Sequence, residues 1–281
     1  MPRPSDHRRG GRGTALSAPE PGQSGPRSDP APDPAPDPGL TEDALLGGRI
    51  RLRQPADGAR VAIDPVFLAA AVPAEPSQLI LDVGCGSGAA TLCLAARVPQ
   101  CRVIGFELQR DLVRLASDNA ALNGMSGRVS MMSGDILQPP PRLSPGMFDH
   151  VMANPPYIAR GHGTPAASAA RTAATIEGEA DLAAWARFAF AMVRGKGTVT
   201  FIHRADRIDA LLGQLAGRAG EITIFPLWPA AGQPASRILV RARKQVAAPA
   251  RLLPGLILHE ADGRFSEAAE AVLRGGAALI L

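Results

Sequence analysis

Short apolar runs alternate with stretches of helical periodicity from residue 79 onward. Continuous apolar runs are typical of strands buried on both faces, and their alternation with helices is typical of βαβ units. We predict seven strands, at residues 79–83, 102–107, 128–132, 148–153, 197–202, 221–227 and 236–242, and helices near 88–98, 110–123, 180–193 and 205–217. The pattern indicates an α/β fold with a mostly parallel sheet, helices on both faces, and a final antiparallel strand pair.

A small β/α extension precedes this core. Residues 49–53 alternate with period two, which predicts a strand with three arginines on one face and two aliphatic side chains on the other. A second strand is predicted after Gly58. Asp64 followed by Pro65 has the form of a helix N-cap and first helical position, so we predict a helix over 66–72.

The first 44 residues differ in composition from the rest. Residues 1–40 contain ten of the 27 prolines, and residues 29–38 are a repeat of Asp, Pro and Ala. Such a segment buries too little apolar surface to offset the entropy lost on ordering. We predict a disordered, proline-rich tail over 1–44 and one folded domain over 45–281.

Charge and cysteine usage narrow the class of protein. The net charge is +4 and the pI about 9.5, which suits a partner that carries phosphates. Cys85, Cys93 and Cys101 show no paired metal-ligand spacing and no disulfide framework, so we expect small buried residues, no metal and a reducing cytoplasm. No run of about 18 apolar residues occurs, so we do not expect a membrane span.

A glycine-rich turn follows the first core strand. Asp82 is followed by Gly84, Cys85, Gly86 and Gly88, in the spacing G-x-G-x-G. Glycine allows positive φ and close approach of a ligand to the backbone. This spacing differs from the G-x-G-x-x-G of dinucleotide-binding proteins, which favours S-adenosylmethionine over a pyrophosphate ligand.

Acidic residues end the next two strands. Glu107 lies 25 residues after Asp82, where a carboxylate can accept hydrogen bonds from both ribose hydroxyls, and Asp135 lies where an adenine amine would be recognised. Asp82 is placed to meet the amino group of the cofactor directly or through water. The alternative is an ordinary loop with acidic helix caps.

Asn154, Pro155, Pro156 and Tyr157 follow the apolar strand at 148–153. The lone pair of an exocyclic amine or a carboxamide nitrogen is delocalised, so the nitrogen is a poor nucleophile. The side-chain oxygen of Asn154 and the carbonyl of Pro155 can each accept one N–H and direct the lone pair toward a methyl group. Tyr157 offers a face for stacking. The alternative is a proline turn closed by a packing tyrosine.

These motifs resemble those of a known family, the bacterial tRNA1(Val) (adenine(37)-N6)-methyltransferases, and in particular its alphaproteobacterial branch. The resemblance covers about residues 45–281. Outside the two central motifs it is carried by Arg53-Gln54-Pro55, Ile63-Asp64-Pro65, 149–153, 202–206, 226–229, 237–244 and Leu258-His259-Glu260.

The resemblance implies a Rossmann-like class I methyltransferase fold, S-adenosylmethionine as cofactor, and methylation of N6 of an adenine in the tRNA anticodon loop. Cofactor binding is expected of Asp64, Asp82, Gly84, Cys85, Gly86, Gly88, Glu107, Asp135 and Asn154. Catalysis is expected of Asn154, Pro155, Pro156 and Tyr157. We expect a monomer that acts on tRNA in the cytoplasm.

Two basic stretches are candidates for binding RNA phosphates. They comprise Arg49, Arg51, Arg53, Arg241, Arg243 and Lys244. The alternative is a solvated strand face in an arginine-rich protein. His203 and Arg204, after the fifth strand, are candidates for touching RNA or shaping the pocket, and residues 160–178 for a lid.

Two other functions remain open. Asn-Pro-Pro-Tyr suits a carboxamide equally well, so glutamine-N5 methylation of a release factor or ribosomal protein is the closest alternative. Those enzymes usually carry a helical N-terminal domain, where a disordered tail is predicted here. A noncatalytic module that binds S-adenosylmethionine or RNA is the second alternative, and intact Asn154 and Tyr157 argue against it.

Overall fold

In the computed structural model the chain is described over residues 39–57, 63–156 and 180–281. Several predictions fall outside these ranges. They are the disorder of residues 1–38, the strand after Gly58, the lid at 160–178, and the role of Tyr157.

The described chain opens with an antiparallel hairpin of β1 (Leu40–Leu45) and β2 (Ile50–Pro55). Ile50 and Leu52 are fully buried, which confirms the predicted two-faced strand. The predicted tail boundary at residue 44 is wrong, because β1 begins at Leu40. β1 has the sequence LTEDAL, in which three adjacent polar residues interrupt both an apolar run and an alternation, so its sequence carries no strand signal. It becomes a strand by pairing with β2.

A sheet of nine strands follows, counted over the described residues. Its strands are β3 (Leu79–Val83), β4 (Arg102–Glu107), β5 (Val129–Ser133), β6 (Phe148–Ala153), β7 (Val193–Arg204), β8 (Ala219–Ala230), β9 (Arg237–Lys244), β10 (Arg251–Leu252) and β11 (Leu256–His259). The order is β10-β8-β9-β7-β6-β3-β4-β5, and β11 also pairs with β8.

β9 runs antiparallel to both of its neighbours, β7 and β8, whereas the other pairs in the sheet are parallel. The predicted mostly parallel sheet with a final antiparallel pair is therefore confirmed. The count of seven strands is corrected, because β10 and β11 extend the sheet beyond β8.

Six α-helices accompany the sheet in the described part of the chain. They are α1 (Asp64–Ala71), α2 (Ala89–Arg97), α3 (Arg110–Leu122), α4 (Leu182–Met192), α5 (Ile208–Leu215) and α6 (Glu267–Leu273). No helix among the described residues is long and apolar enough to cross a membrane.

Two apolar cores lie on opposite faces of the sheet. β3 shows the division, since Ile80 belongs to the core with α1 and α2, while Leu81 and Val83 belong to the core with α4 and α5. Successive side chains of a strand point to opposite faces, so a continuous apolar run serves both cores. The three cysteines are free and buried, as predicted.

Two asparagines hold the hairpin to the core, one within α3 and one directly after its last residue. The side chain of Asn119, fully buried, accepts from the Arg53 amide at 2.9 Å and donates to the Arg53 carbonyl at 2.8 Å and the Ser87 carbonyl at 2.9 Å. Asn123 pairs in the same way with the backbone of Arg51. These bonds link β2 to the loop after β3.

We expect Asn119→Ala to lower the free energy of unfolding by about 2–3 kcal/mol, because backbone groups of Arg53 and Ser87 lose their partner. Urea unfolding checks this. Ser117→Ala is the matched control on the same helix, since Ser117 is exposed and bonds only within its own turn. Equal stability of the two variants would contradict the role given to Asn119.

Candidate active site

The loop after β3 contains three glycines with positive φ, at Gly84, Gly86 and Gly88. A Cβ on Gly84 would lie 2.4 Å from the Trp185 ring of α4, so that position is closed by packing. A Cβ on Gly86 would meet no described residue within 4 Å. The backbone at Gly86 is therefore open on one side, as a ligand resting on the loop requires.

Glu107 ends β4 beside this loop and is 8% exposed. One carboxylate oxygen accepts from the Gly86 amide at 3.0 Å and the other from the Gln109 amide at 2.9 Å. A carboxylate has about four acceptor sites, so each oxygen keeps capacity for a further donor. Glu107 is thus fixed in place and still fits a pair of ribose hydroxyls.

Asp82 lies beneath the loop rather than open at the end of β3. It is 2% exposed and accepts from the Thr91 hydroxyl of α2 at 2.6 Å. Burial raises the pKa of Asp82 to about 7, against the hydrogen bond from Thr91, and the charge of Glu107 adds to the rise. A cation near Asp82 would favour its charged form. Cys85 is buried in the loop, and this burial raises the pKa of its thiol.

Asp135 follows β5 and is half-buried, and its carboxylate accepts from the Leu137 amide at 2.8 Å. β5 pairs with β4 so that Glu107 lies opposite Ser133, which brings Asp135 to the same edge. Two apolar side chains missed by the sequence analysis flank these acids. Leu108 is 64% exposed and Leu137 42%. An apolar residue directly after a strand-ending acid is the signal that was available for Leu108.

Asn154 follows β6, the neighbour of β3. The register pairs Ala153 with Val83, so Asn154 and Gly84 leave the sheet side by side. Pro155 is buried, and Asn154 and Pro156 are half-buried. The predicted convergence is confirmed for the described residues, because the loop after β3, Glu107, Asp135 and Asn154 all lie at the carboxyl ends of four adjacent strands.

Asp64 is the first residue of α1, so its predicted role as an N-cap is wrong. Ile63 occupies that position and no side chain caps the helix. The carboxylate of Asp64, 7% exposed, pairs with the Nε of Arg237 at 2.9 Å. Arg237 lies opposite Arg204 at the end of β7. Asp64 is therefore tied to the carboxyl edge through β9, and the structure shows it as a partner of an arginine.

The basic candidates of the hairpin are engaged within the protein. Arg51 and Arg53 both pair with Glu42 of β1, at 2.7 and 3.2 Å. Arg49 precedes β2 and donates to the carbonyls of Leu46 and Arg274, so it does not share their strand face. The predicted face of three arginines is corrected to two, with one carboxylate between them.

The second basic stretch lies away from Asn154. Phe201 of β7 lies opposite Ala153 of β6 on one side and opposite Val240 of β9 on the other. From Val240, β9 runs toward the amino edge of the sheet, where Arg243 lies opposite Thr198. At about 3.3 Å per residue, Lys244 is about 13 Å from the row of Val240.

The three residues of the second basic stretch also have partners in the protein. Arg241 bonds the Leu281 carbonyl, Arg243 pairs with Glu221 at 2.9 Å, and Lys244 donates to the Val193 carbonyl at 2.8 Å. The structure does not bring this stretch to the site.

His203 and Arg204 belong to β7 rather than follow it. His203 is fully buried, and burial lowers its pKa to about 4, so it is a core residue. Arg204 is exposed and its Nε donates to Asp206 at 2.9 Å. Arg204 and Arg237 both lie at the carboxyl edge, and the sequence alone did not indicate a separate function for Arg237.

Residues 80–175 match the family model described as a methyltransferase domain. The chain is 28% identical over 215 residues to the tRNA1(Val) (adenine(37)-N6)-methyltransferase of Aeromonas hydrophila, covering 74% of this chain and 86% of that protein. It is 37% identical over 101 residues to the protein of the same name from Yersinia enterocolitica, covering 36% of this chain and only 40% of that relative.

Among solved structures, a predicted O-methyltransferase from Agrobacterium tumefaciens superposes with a TM-score of 0.65 at 26% identity, over 77% of this chain and 98% of that chain. A putative transferase from Pyrococcus horikoshii has a TM-score of 0.53 at 14% identity, over 75% of this chain and 74% of that chain, and supports the fold alone. The fold is that of the class I methyltransferases, residues 80–175 form a methyltransferase domain, and curated homologues are named tRNA1(Val) (adenine(37)-N6)-methyltransferase.

Proposed function

We propose that this protein transfers a methyl group from S-adenosylmethionine to N6 of an adenine in the anticodon loop of tRNA1(Val). The observation that carries the proposal is the register of β3 and β6, which sets Asn154 and Pro155 beside the glycine loop. The names of the relatives support the choice of RNA over protein.

The cofactor, when bound, supplies an electrophilic methyl group on a sulfonium sulfur. Its ribose hydroxyls suit Glu107, whose oxygens are oriented by the Gly86 and Gln109 amides. Its adenine suits Asp135 and the exposed Leu108, and its cationic amino acid portion suits the buried carboxylate of Asp82. These assignments rest on the donor and acceptor types available at the edge.

The chain's own contribution to the chemistry is orientation of the acceptor nitrogen. An adenine N6 has two hydrogens, and two oxygens suffice to hold them, the side-chain oxygen of Asn154 and the carbonyl of Pro155. With both hydrogens accepted, the lone pair is withdrawn from the ring and points away from the two oxygens. Orientation within reacting distance supplies much of the rate enhancement.

The substrate requirement follows from this geometry. The target base must leave its stack to reach Asn154, which is least costly in a single-stranded loop. Tyr157, outside the described residues, is proposed as the face on which the base stacks. We propose further that the protein is a monomer, which light scattering on the purified chain would test. We also propose that it acts in the cytoplasm.

The direct test is methyl transfer from labelled S-adenosylmethionine to an unmodified tRNA1(Val) transcript, followed by nucleoside analysis. We expect N6-methyladenosine, and no label in a transcript with guanosine at the target position. A release factor is tested in parallel. Label in the protein alone would replace this proposal with glutamine-N5 methylation.

A further inference from the structure

A second concave surface lies on the carboxyl edge, away from Asn154. A cleft of about 770 Å³ opens between the end of β8, the turn into β9, and β11. Its walls include Trp228, Gln233, Pro234, Pro254, Leu256 and Ile257. The described residues that line it are mostly apolar and include no acidic side chain. The mechanism proposed above does not use this cleft.

The cleft and the proposed active site lie at the same edge of one sheet. From β6 the strand order runs β7, β9, β8, and β11 pairs with β8. The row of Ala153 reaches Ile224 of β8, so three strand spacings of about 4.8 Å and four residues of about 3.3 Å along β8 place Trp228 about 20 Å from the end of β6. A short run of nucleotides spans such a distance, so one RNA segment can reach both places.

Arginines occupy the edge between the two places. One row of opposing residues crosses three strands and consists of Arg204 in β7, Arg237 in β9 and Leu227 in β8. Leu256 of β11 continues that row. The side chain of Arg204 is 44% exposed, and that of Arg237 30%. Arg204 has five donors and uses two on Asp206. Arg237 is paired with Asp64, so the guanidinium of Arg204 is the group in this row that can meet a phosphate of an RNA strand whose base enters the cleft.

Trp228 is held as a fixed surface. Its indole Nε1 donates to the Pro254 carbonyl at 2.9 Å, and Gly255 is so close that a Cβ there would lie 2.9 Å from Nε1. The ring is half-buried. A ring oriented before binding loses little entropy when a partner stacks on it.

We propose that this cleft binds a second nucleobase of the substrate RNA, close to the methylated adenine, by stacking on or beside Trp228. The proposal rests on the proposed function for its substrate. Stacking on an aromatic ring tolerates any base, so the cleft would add affinity and position the loop without reading sequence.

The first experiment measures methylation kinetics with the full chain and tRNA1(Val) transcript. We expect Trp228→Leu to raise KM for tRNA about tenfold, in line with the loss of one stacked base, with kcat and the Kd for S-adenosylmethionine unchanged. Trp228→Phe keeps a ring and should stay near wild type. Leu252→Ala is the control, since Leu252 is 71% exposed on β10 and does not line the cleft.

The second experiment measures binding of RNA in the cleft without catalysis. Short single-stranded RNAs, each carrying 2-aminopurine at one of the positions a few nucleotides from the target, are titrated with each variant. We expect fluorescence quenching with wild type and Trp228→Phe, and a loss of quenching with Trp228→Leu.

The two failures are distinguishable. Wild-type protein that methylates no RNA overturns the proposed function, whereas Trp228-dependent quenching would still support the cleft. Normal KM and normal quenching in a folded Trp228→Leu variant overturn the cleft and leave the function standing. A Trp228 effect seen only with a protein acceptor would assign the cleft to a peptide and overturn the RNA proposal.

Discussion

Asn154→Ala is expected to lower kcat for methyl transfer by about 10²- to 10³-fold, the effect typical of removing one oriented hydrogen-bonding group from a reacting centre. The target nitrogen would keep one of its two acceptors, the Pro155 carbonyl, and its lone pair would stay largely in the ring. Binding of S-adenosylmethionine should remain measurable, since Glu107 is oriented by the Gly86 and Gln109 amides.

The measurement combines single-turnover methylation, cofactor titration and thermal unfolding. Asn154→Asp is the informative partner variant, because a carboxylate oxygen still accepts an N–H where the methyl side chain of alanine cannot. We expect Asn154→Asp to retain more activity than Asn154→Ala. A folded Asn154→Ala variant that binds cofactor and turns over at the wild-type rate would falsify the assigned role.

The carboxyl edge of the sheet was predictable because its signals are local. β3, β4 and β6 each contain a short apolar run, at 79–81, 103–106 and 151–153, and each run is followed at or near the strand end by a residue whose chemistry differs from that of the core. In a parallel sheet all such strand ends meet at one edge, so Asp82, Glu107 and Asn154 could be placed together without knowing the packing.

Features that depend on distant partners were not predictable in this way. β1 has three adjacent polar residues and becomes a strand by pairing with β2, and β10 consists of two residues that pair with β8. β7 runs through Arg194–Gly197, a stretch that reads as a turn, and its register against β6 shifts there. A strand interrupted by turn residues looks like a loop until its neighbours are known.

Side-chain roles failed for a similar reason. Asp64 has the sequence form of a cap, but a guanidinium 173 positions away takes its carboxylate. Arg51 and Arg53 suggest a phosphate site until Glu42 is seen between them. Charge counted along a sequence does not reveal which charges are already paired.

Asp82 provides the prediction with the largest expected effect on stability. The folded pKa of about 7 lies above the value of 3.8 for a free side chain, so the folded protein keeps a proton that the unfolded chain releases. The stabilisation from protonated Asp82 is complete below about pH 4 and is lost as pH rises through 7. In the protein without cofactor, Asp82→Asn should therefore be more stable than wild type at pH 8, by up to about 4 kcal/mol.

Urea unfolding of both proteins between pH 4 and 8 tests this, and the difference between them isolates Asp82 from other titrating groups. Thr91→Val is the second arm, because the Thr91 hydrogen bond lowers the pKa and its loss should move the transition to higher pH. A difference that stays constant from pH 4 to 8 would show that Asp82 is ionised throughout.

Ionisation of Asp82, which lowers the stability of the empty protein, should raise its affinity for the cofactor. A cationic ligand favours charged Asp82, so wild-type affinity for S-adenosylmethionine should rise about tenfold between pH 6 and 8 relative to Asp82→Asn, whose amide does not titrate. Isothermal titration of both proteins gives the ratio of their Kd values and cancels ionisation of the ligand itself. Burial of Asp82 would then make the cofactor loop less stable when empty and more selective for a positively charged ligand.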